Sequence, residues 1–494
     1  MKPTAEQLAV CGARGKRIKV IAFAGAAKTS SQELYARSHP NERILYIAFS
    51  KAVQVEGQAR FPKNTVCRTT HSLAFSVALK LFGKDGVSRK VGETWPSVVA
   101  REFGASVVMS YVALRTLQAW FATSAPQIEE EHVPAEMRDR IPDWIHAVSL
   151  ARECWKAMLD PQNARVKLPH DGYLKLWSTS GAKLDRFDTV LLDEAQDTSP
   201  VVLEMLLKQP VKLIAVGDPH QSIFGFRGAI DAMRRFDGDQ TLYLTQSFRF
   251  GSGLADLANM VLGRLKGERK AIRGVGEPQE TLFRVDHSRP YAVITRTNVT
   301  VFEEAVARRK DPRRFHYVGG PQALRFDKIL DTYQLWRGCR EEVRDAYLKT
   351  FGSFDELKEL AEQTEDAELR MLSKVVEKHR DGIPWLIEEI EAKHEDRLPA
   401  GGLKAFEGIV FCTAHKSKGL EFDQVVLTDD YAGLFDPENS ERALGFGEVA
   451  DEDVNLLYVA ITRARRALQM NDELMRWARV VREEIRTARA EAVA

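Results

Sequence analysis

Residues 22–30 read Ala-Phe-Ala-Gly-Ala-Ala-Lys-Thr-Ser and continue an apolar run that begins at Ile18. A strand that enters a loop of small residues and then opens a helix at Lys28 and Thr29 forms a cradle for phosphate. In such a cradle the loop N–H groups point at the β-phosphate, the lysine reaches the β- and γ-oxygens, and the threonine hydroxyl binds Mg²⁺. The stretch therefore predicts an α/β fold with a phosphate-binding loop.

This loop departs from the pattern GxxxxGK[ST] at two positions. Phe23 replaces the first glycine, and Ala27 replaces the glycine before the lysine. Alanine is strained there if the backbone needs a positive φ, although its small side chain still lets phosphate approach closely. Taken alone, the loop fits an ordinary turn of small residues equally well, so a second signal is needed.

Residues 189–197 supply that signal with the sequence Thr-Val-Leu-Leu-Asp-Glu-Ala-Gln-Asp. An apolar strand here ends in two adjacent carboxylates. We expect Asp193 to hold Mg²⁺ together with Thr29, and Glu194 to activate the attacking water. A solvated acidic turn is the alternative, and the phosphate loop upstream disfavours it.

Short apolar runs recur along the chain in two clusters, with helical patterns between many of them. The first cluster comprises Ile18–Ala24, Ile44–Phe49, Thr189–Leu192, Leu213–Val216 and Leu242–Leu244. The second comprises Tyr291–Thr295, Gly408–Cys412, Gln424–Leu427 and Tyr458–Ile461. Strands that alternate with helices predict the α/β class, with two domains built on doubly wound parallel sheets.

Two mostly helical insertions interrupt these clusters. Leu117 and Trp120 recur at helical spacing in the first insertion, and residues 353–356 of the second have the spacing of a capping box. We assign the first domain to residues 1–78 and 177–250, its insertion to 79–176, the second domain to 251–320 and 406–494, and its insertion to 321–405.

Composition excludes several classes of protein. The 71 basic and 70 acidic residues leave a net charge of +1, so any phosphate-binding surface comes from local patches. Five scattered cysteines form neither a disulfide framework nor a zinc cluster. No apolar stretch reaches about 18 residues, and the N-terminus lacks a secretory pattern, so we expect no membrane partner. The expected compartment is cytoplasmic: the bacterial cytoplasm or nucleoid, or a phage-infected cell, and the nucleus in a eukaryote.

The motifs resemble, in order, those of the UvrD/Rep/PcrA group of superfamily 1 helicases. Residues 4–7, 47–51, 69–72, 193–197, 216–228, 244–249, 294–298, 413–422 and 458–465 carry this resemblance. It implies two RecA-like lobes with ATP between them. Within the group the likeness is greatest to the F-box DNA helicase branch and its bacterial and phage relatives, through residues 22–25, 169–177 and 296–302.

The resemblance also implies roles for individual residues around ATP and Mg²⁺. Gln7 reads the adenine edge, Gln221 senses the γ-phosphate, Phe248 stacks on adenine, Arg249 is an arginine finger, and Arg463 reaches the γ-phosphate. With Lys28 and Glu194, Gln221, Arg249 and Arg463 make up the expected catalytic set. The expected nucleotide-binding set is Gln7, Gly25, Ala26, Ala27, Lys28, Thr29, Ser30, Phe248 and Glu421.

A motor on single strands also needs base-stacking and phosphate-binding side chains, because stacking on aromatic rings tolerates any sequence. The resemblance implies the following nucleic-acid contacts: Phe49, Thr70, His71, Phe224, Phe226, Arg227, Arg296, His415 and Lys416. For His71 and His415 a structural hydrogen bond is an equally good interpretation.

The expected function is an ATP-dependent DNA helicase or translocase on single-stranded DNA, and the resemblance to the UvrD group implies 3′→5′ movement. Its expected partners are single strands and single-strand/duplex junctions, and it is expected to be a monomer. Two alternatives stay open: an RNA-directed motor, and an ATP-gated nucleic-acid-binding switch that does not unwind. The pathway is open among recombination control, replication restart and phage DNA metabolism.

Overall fold

The computed structural model describes residues 2–223, 232–278, 280–345, 347–363 and 366–493. The chain forms two compact units. The first contains residues 2–22 and 27–244, and the second contains residues 23–26 and 245–493.

The first unit is a parallel sheet with helices between its strands. Its elements are α1 (Ala5–Cys11), β1 (Arg17–Ala22), α2 (Lys28–Ser38), β2 (Ile44–Ala48), α3 (Lys51–Arg60), β3 (Thr65–Thr69), α4 (Thr70–Lys90), α5 (Pro96–Phe103), α6 (Val107–Phe121), α7 (Ala135–Arg140), α8 (His146–Leu159), α9 (His170–Thr179), β4 (Thr189–Leu192), α10 (Pro200–Leu207), β5 (Lys212–Gly217), α11 (Ala232–Arg235) and β6 (Gln240–Leu244).

The strand order in this sheet is β3-β2-β4-β5-β1-β6, and every pairing is parallel. The residues of β2 and β4 are buried throughout, as expected for interior strands covered on both faces. β4 and β1 both pair with β5, so the carboxyl ends of these three strands lie side by side at one edge of the sheet.

Helices α4 to α9 form the helical part of this unit. Leu117, Trp120 and Phe121 of α6 lie in its apolar core, as their spacing predicted. Two buried lysines join its segments, because each ammonium donates to three backbone carbonyls. Lys90 bonds Ala157, Asn163 and Val166, and Lys175 bonds Trp120, Thr123 and Ala125.

The second unit also contains a parallel sheet. Its elements are β7 (Gln246–Ser247), α12 (Ser252–Lys266), β8 (Arg273–Gly274), β9 (Tyr291–Thr295), α13 (Asn298–Ala307), β10 (Phe315–Tyr317), α14 (Pro321–Leu324), α15 (Phe326–Trp336), α16 (Phe354–Gln363), α17 (Ala367–His379), α18 (Ile383–Ala392), β11 (Ile409–Thr413), β12 (Phe422–Leu427), α19 (Asp451–Ile461), β13 (Ala464–Gln469) and α20 (Asp472–Val493).

The strand order of this sheet is β10-β11-β9-β12-β13, and β7 pairs with β8 separately. Helices α14 to α18 lie between β10 and β11 and share an apolar core that includes Ile329 and Tyr333. The predicted capping box before α16 forms in part. The Ser353 hydroxyl accepts the N–H of Glu356, whereas the Glu356 carboxylate accepts the N–H of Gly352.

The predicted α/β class with two doubly wound parallel sheets is confirmed, but one predicted strand is wrong. Residues 458–461 end helix α19. Every residue of Val454–Ile461 is buried, and a helix buried on all sides gives the same continuous apolar run as an interior strand. Asp451, Glu452 and Asp453 in its first turn favour the helix, because acidic side chains stabilise a helix N-terminus.

No single helix among the described residues is long and apolar enough to cross a membrane. One bent pair, Pro96–Phe103 with Val107–Phe121 at 112°, passes the same test of length and composition.

Candidate nucleotide and nucleic-acid sites

The predicted nucleotide residues of the first unit meet at the carboxyl edge of its sheet. Lys28 and Thr29 open α2 after β1, and Asp193 and Glu194 follow β4. The Lys28 Nζ lies 3.1 Å from Glu194 Oε1, and the Thr29 hydroxyl lies 3.5 Å from Asp193 Oδ2. Two stretches about 160 residues apart in sequence are therefore in direct contact, at the edge where open parallel sheets bind ligands.

The phosphate loop is strained where its sequence departs from glycine. Ala27 has φ 56° and ψ 45°, in the left-handed region. The conformation that only a glycine adopts without strain is thus present, and for an L-residue it costs roughly 1–2 kcal/mol. Ala27 keeps a helix-initiating role, because its carbonyl accepts the N–H of Ser31 at 3.0 Å.

Gly25 is required for a different reason. Its φ is +74°, and a Cβ there would lie 2.4 Å from Ser247 Oγ and 2.8 Å from Arg249 Cβ. Its carbonyl accepts the N–H of Phe248 at 2.9 Å. The strand β7 therefore packs against the loop so closely that no side chain fits between them.

Asp193 is buried and receives four hydrogen bonds. Its Oδ1 accepts from the Gln32 amide at 2.9 Å and from the Glu194 N–H at 3.1 Å. Its Oδ2 accepts from the Tyr46 hydroxyl at 2.5 Å and, more weakly, from Thr29. Burial and the adjacent Glu194 raise the pKa of Asp193, whereas the hydrogen bonds from Tyr46 and Gln32 and the charge of Lys28 lower it.

The residues around Asp193 fit Mg²⁺ in the form that accompanies a nucleotide. Among the described residues no three or more His, Cys, Asp or Glu side chains are grouped to hold a metal ion. Mg²⁺ does not need such a cage, because it keeps several waters and binds through one or two carboxylates plus substrate phosphates. The Asp193 carboxylate and the Thr29 hydroxyl provide hard oxygen ligands of that kind, and the Gln32 amide adds a buried carbonyl oxygen beside them.

Lys28 stays charged in this setting. Burial lowers the pKa of Lys28, but the carboxylates of Glu194, Asp218 and Asp193 outweigh burial and hold it above its usual value. A positive charge is therefore present where the phosphate loop begins its helix.

Glu194 heads a chain of hydrogen bonds that the sequence did not reveal. The Gln196 amide donates to Glu194 Oε2 at 2.5 Å, and Gln196 Oε1 accepts the N–H of Asp218 at 3.0 Å. The Gln221 amide in turn donates to Asp218 Oδ2 at 2.6 Å. Gly217 leaves room for this chain, since a Cβ there would lie 2.4 Å from Gln196 Oε1. The expected base and the expected γ-phosphate sensor are thus connected through two residues.

Three further residues predicted to contact the nucleotide are Gln7, Ser30 and Ala26. Gln7 completes a capping box with Thr4 at the start of α1 and donates to the Ser31 hydroxyl at 3.3 Å. Ser30 Oγ accepts from Arg60 at 3.1 Å, and Ala26 is buried with its N–H bonded to the Phe23 carbonyl. Their contacts with adenine or phosphate stay predictions.

The second unit holds the predicted arginines. Arg249 donates to the Thr462 carbonyl at 2.9 Å and pairs with Glu421 at 3.3 Å. Glu421 also pairs with Lys404 at 2.9 Å. Burial raises the pKa of Glu421, but the Lys404 hydrogen bond and the Arg249 charge outweigh it and hold that pKa below its usual value.

Arg463 is 1% exposed. Its guanidinium donates to the carbonyls of Val459 at 3.0 Å and Leu420 at 3.2 Å. The second unit therefore holds Arg463 between the end of α19 and the segment that precedes β12.

The predicted nucleic-acid contacts of the first unit differ in their exposure and in their side-chain partners. Phe49 is 44% exposed, and Thr70 is the first residue of α4. His71 Nε2 lies 3.5 Å from Asp171 Oδ1, and its ring meets His170 and Tyr173 edge-on. These partners belong to helix α9, which therefore contacts His71. A structural pairing of His71 is present, and its predicted strand contact stays a prediction.

In the second unit, Arg296 pairs with Asp453 at 2.6 Å, and its N–H donates to Asp430. His415 and Lys416 are partly exposed in the turn after β11. Phe224, Phe226 and Arg227 lie outside the residues that the structure describes. The aromatic part of the predicted strand-binding surface therefore has only Phe49 among the described residues.

Comparison with known proteins agrees with this geometry. Residues 178–240 match the UvrD/REP helicase N-terminal domain, and residues 313–472 match the UvrD-like helicase C-terminal domain. The chain is 34% identical to F-box DNA helicase 1 of Gallus gallus over 93% of its length. Residues 178–240 and 313–472 of this chain are thus similar to the two domains of the UvrD-like helicase family.

Other members of this family are similar at lower identity. F-box DNA helicase protein 1 of Schizosaccharomyces pombe is 28% identical over 93% of this chain. DNA helicase II of Escherichia coli is 26% identical over 58% of this chain. The chain spans 48%, 56% and 56%, respectively, of the chicken, fission yeast and E. coli proteins, so about half the length of each. The predicted resemblance to the UvrD-like family is confirmed.

Proposed function

We propose that this chain hydrolyses ATP to move 3′→5′ along single-stranded DNA, and that this movement separates duplexes or displaces bound proteins. The observation that carries the proposal is the meeting of Lys28, Thr29, Asp193 and Glu194 at one sheet edge. A structural ion pair explains Lys28 and Glu194, but it does not explain a buried second carboxylate beside a hydroxyl that opens a helix. The names of the relatives, all DNA helicases, favour DNA as the track.

The residues of the first unit divide the chemistry among them. Lys28 binds the β- and γ-phosphate oxygens, which compete with Glu194 for its ammonium. Asp193 and Thr29 would hold Mg²⁺, which would supply positive charge to offset the charge that develops on the phosphates. Glu194 orients the attacking water and accepts its proton, while Gln196 fixes the direction of that carboxylate.

The second unit supplies the proposed arginines and base contacts. Arg249 stabilises charge on the γ-phosphate, as an arginine finger does, and such a finger contributes about 10³–10⁵ in rate. Arg463 adds charge to the same phosphate, and Phe248 stacks on adenine. Gln7, from the first unit, reads the adenine edge. Glu421 holds Arg249 in place through the ion pair at 3.3 Å.

The proposed track uses residues of both units. Phe49 offers an exposed aromatic face for a base. The other proposed strand contacts are Thr70 and His71 in the first unit, and Arg296, His415 and Lys416 in the second. The proposed substrates are single-stranded DNA and single-strand/duplex junctions, and the proposed working form is a monomer.

Two assays on the same preparation test this function. ATP turnover is measured with no oligomer, with single-stranded DNA and with RNA of the same sequence. Strand separation is measured on duplexes with a 3′ or a 5′ tail. We expect DNA to stimulate turnover more than RNA, and the 3′-tailed duplex to be unwound.

Each contrary result removes a defined part of the proposal. Stronger stimulation by RNA would make the chain an RNA-directed motor. Turnover without strand separation from either tail would remove unwinding, and displacement of a protein bound to single-stranded DNA would then decide between a translocase and a switch. Absence of turnover under all conditions would overturn the enzyme itself.

A further inference from the structure

Two residues that donate hydrogen bonds to Asp193, Tyr46 and Gln32, lie outside the helicase motifs described above. Tyr46 lies on β2, whose register places it beside Leu191 of β4, two residues before Asp193. Gln32 lies one helical turn after Lys28 on α2. The Tyr46 hydroxyl binds Asp193 Oδ2 at 2.5 Å, and the Gln32 amide binds Oδ1 at 2.9 Å. The two donors thus each hydrogen-bond a different oxygen of the Asp193 carboxylate.

The other half of the Gln32 amide has no such partner. Gln32 is fully buried, and its Oε1 accepts no hydrogen bond from any described residue. A buried polar group without a hydrogen-bond partner destabilises the folded chain. A fold that needed only a donor to Asp193 would not need this second polar atom beside it. The unused acceptor therefore points to a donor that arrives with a ligand.

We propose that Gln32 and Tyr46 are positioning residues for the divalent cation that accompanies the nucleotide. They fix the Asp193 carboxylate in one orientation, and Gln32 Oε1 accepts a hydrogen bond from water bound to the cation. The inference rests on the proposed function, because it assumes that a Mg²⁺–nucleotide complex binds at Asp193.

This role differs from simple support of the fold in one measurable way. Partners that orient a metal-binding carboxylate change metal affinity by about 10–100-fold when they are removed. Partners that only stabilise the fold lower the free energy of unfolding and leave the metal dependence of ligand binding unchanged. Mg²⁺ dependence of nucleotide binding, rather than turnover, therefore separates the two roles.

The chain offers matched control residues in the same unit. Tyr35 is a second buried tyrosine, and its hydroxyl binds Glu42 at 3.2 Å instead of Asp193. Gln54 is a second buried glutamine on a helix, and its amide binds the Cys67 carbonyl at 3.1 Å. Tyr35→Phe and Gln54→Met therefore remove the same chemical groups away from the carboxylate.

The test measures binding of a fluorescent ADP analogue to the full chain, first in EDTA and then across a Mg²⁺ titration. For Tyr46→Phe and Gln32→Met we expect the Mg²⁺ concentration at half effect to rise about 10–100-fold. Affinity in EDTA should stay near that of the original chain. Tyr35→Phe and Gln54→Met should shift neither quantity.

The outcomes are separable. If the original chain binds ADP more tightly with Mg²⁺ and both Asp193-partner variants show the same Mg²⁺ dependence, the inference is overturned and the proposed function stands. If the original chain binds no ADP analogue with or without Mg²⁺, the proposed function falls, and this inference falls with it. If Tyr46→Phe does not fold, as judged by its thermal unfolding, Gln32→Met decides, since it reaches the same carboxylate.

Discussion

The two units hold their charged site residues in different ways. In the first unit, Lys28 and Asp193 have side-chain partners: a carboxylate for the lysine, and a hydroxyl and an amide for the aspartate. In the second unit, Arg249 and Arg463 donate to backbone carbonyls of Thr462, Val459 and Leu420. A backbone carbonyl fixes the direction of a guanidinium without cancelling its charge, whereas a carboxylate partner does both.

The two kinds of partner suit different parts in the proposed phosphoryl transfer. Under the proposed mechanism, the first unit exchanges partners when phosphate binds, so its side chains need alternatives within reach. The arginines of the second unit need only a fixed direction and an undiminished charge. Arg249 is intermediate, because Glu421 pairs with it as well.

The largest expected effect on ATP turnover comes from a change to an arginine of the second unit. Arg249→Ala removes the charge and should lower ATP turnover by about 10³–10⁵-fold, the contribution of an arginine finger. Binding of ADP should change far less, because ADP has no γ-phosphate. Steady-state turnover and ADP binding are measured together. Arg466→Ala, which removes a 38%-exposed arginine paired with Glu277, is the control and should leave turnover near its original rate. Normal turnover by Arg249→Ala would show that Arg249 is a structural residue.

The next largest effect on turnover is expected from a change to Glu194 in the first unit. Glu194→Gln keeps the shape of the side chain but removes the proton acceptor, so turnover should fall about 10²–10⁴-fold. ATP binding should persist. Equilibrium binding of ATP and single-turnover hydrolysis separate these two quantities. Glu56→Gln, on the exposed face of α3, serves as the control. Hydrolysis at the original rate would reject Glu194 as the base.

A smaller effect on turnover is expected from Gln196, the side-chain partner of Glu194 in the first unit. Gln196→Leu removes the hydrogen bond that directs the Glu194 carboxylate, and a hydrogen bond to a charged group is worth about 1.5–3 kcal/mol. We expect turnover to fall about 10–100-fold, with ATP affinity little changed. A rise in KM with constant kcat would instead mean that Gln196 acts in binding. Gln240→Leu, where the glutamine carbonyl accepts only an exposed N–H, is the comparison variant.

The smallest expected effect concerns the strained loop. Ala27→Gly should relieve part of the roughly 1–2 kcal/mol that a left-handed alanine costs, although glycine also gains entropy in the unfolded chain. The net gain in the free energy of unfolding is expected to be below about 1 kcal/mol, measured by urea denaturation. Ala52→Gly, at an exposed helical position of α3, should lower that free energy instead. Equal losses for both variants would mean that the Ala27 backbone is not strained.

The predicted motifs identified the charged residues better than their partners. The sequence predicts Lys28 and Glu194 as residues of one nucleotide site, because each follows a strand with a recognisable pattern. Tyr46 was not predicted, because its role depends on the register between β2 and β4, which no local pattern encodes. Gln196 and Asp218 were likewise missed as site residues, because their contact joins the ends of β4 and β5.

Besides the two-residue strands β7 and β8, the strands that sequence analysis missed share one position. β3, β10 and β13 each lie at the edge of a sheet. β3 and β13 contain exposed or half-buried residues among the buried ones. They therefore lack the continuous apolar run that marks an interior strand. The error at residues 458–461 is the reverse case, a helix buried so completely that it looks like an interior strand.

The ion pair between Lys28 and Glu194 also bears on how a turnover ends. A buried ammonium without a counter-charge is unfavourable. Release of a phosphate product that had paired with this ammonium would therefore be unfavourable unless another anion replaced it. Glu194 lies 3.1 Å from Lys28 and takes over that role as the phosphates withdraw. Under the proposed mechanism, the carboxylate that begins the reaction thus lowers the free energy of the state reached by product release.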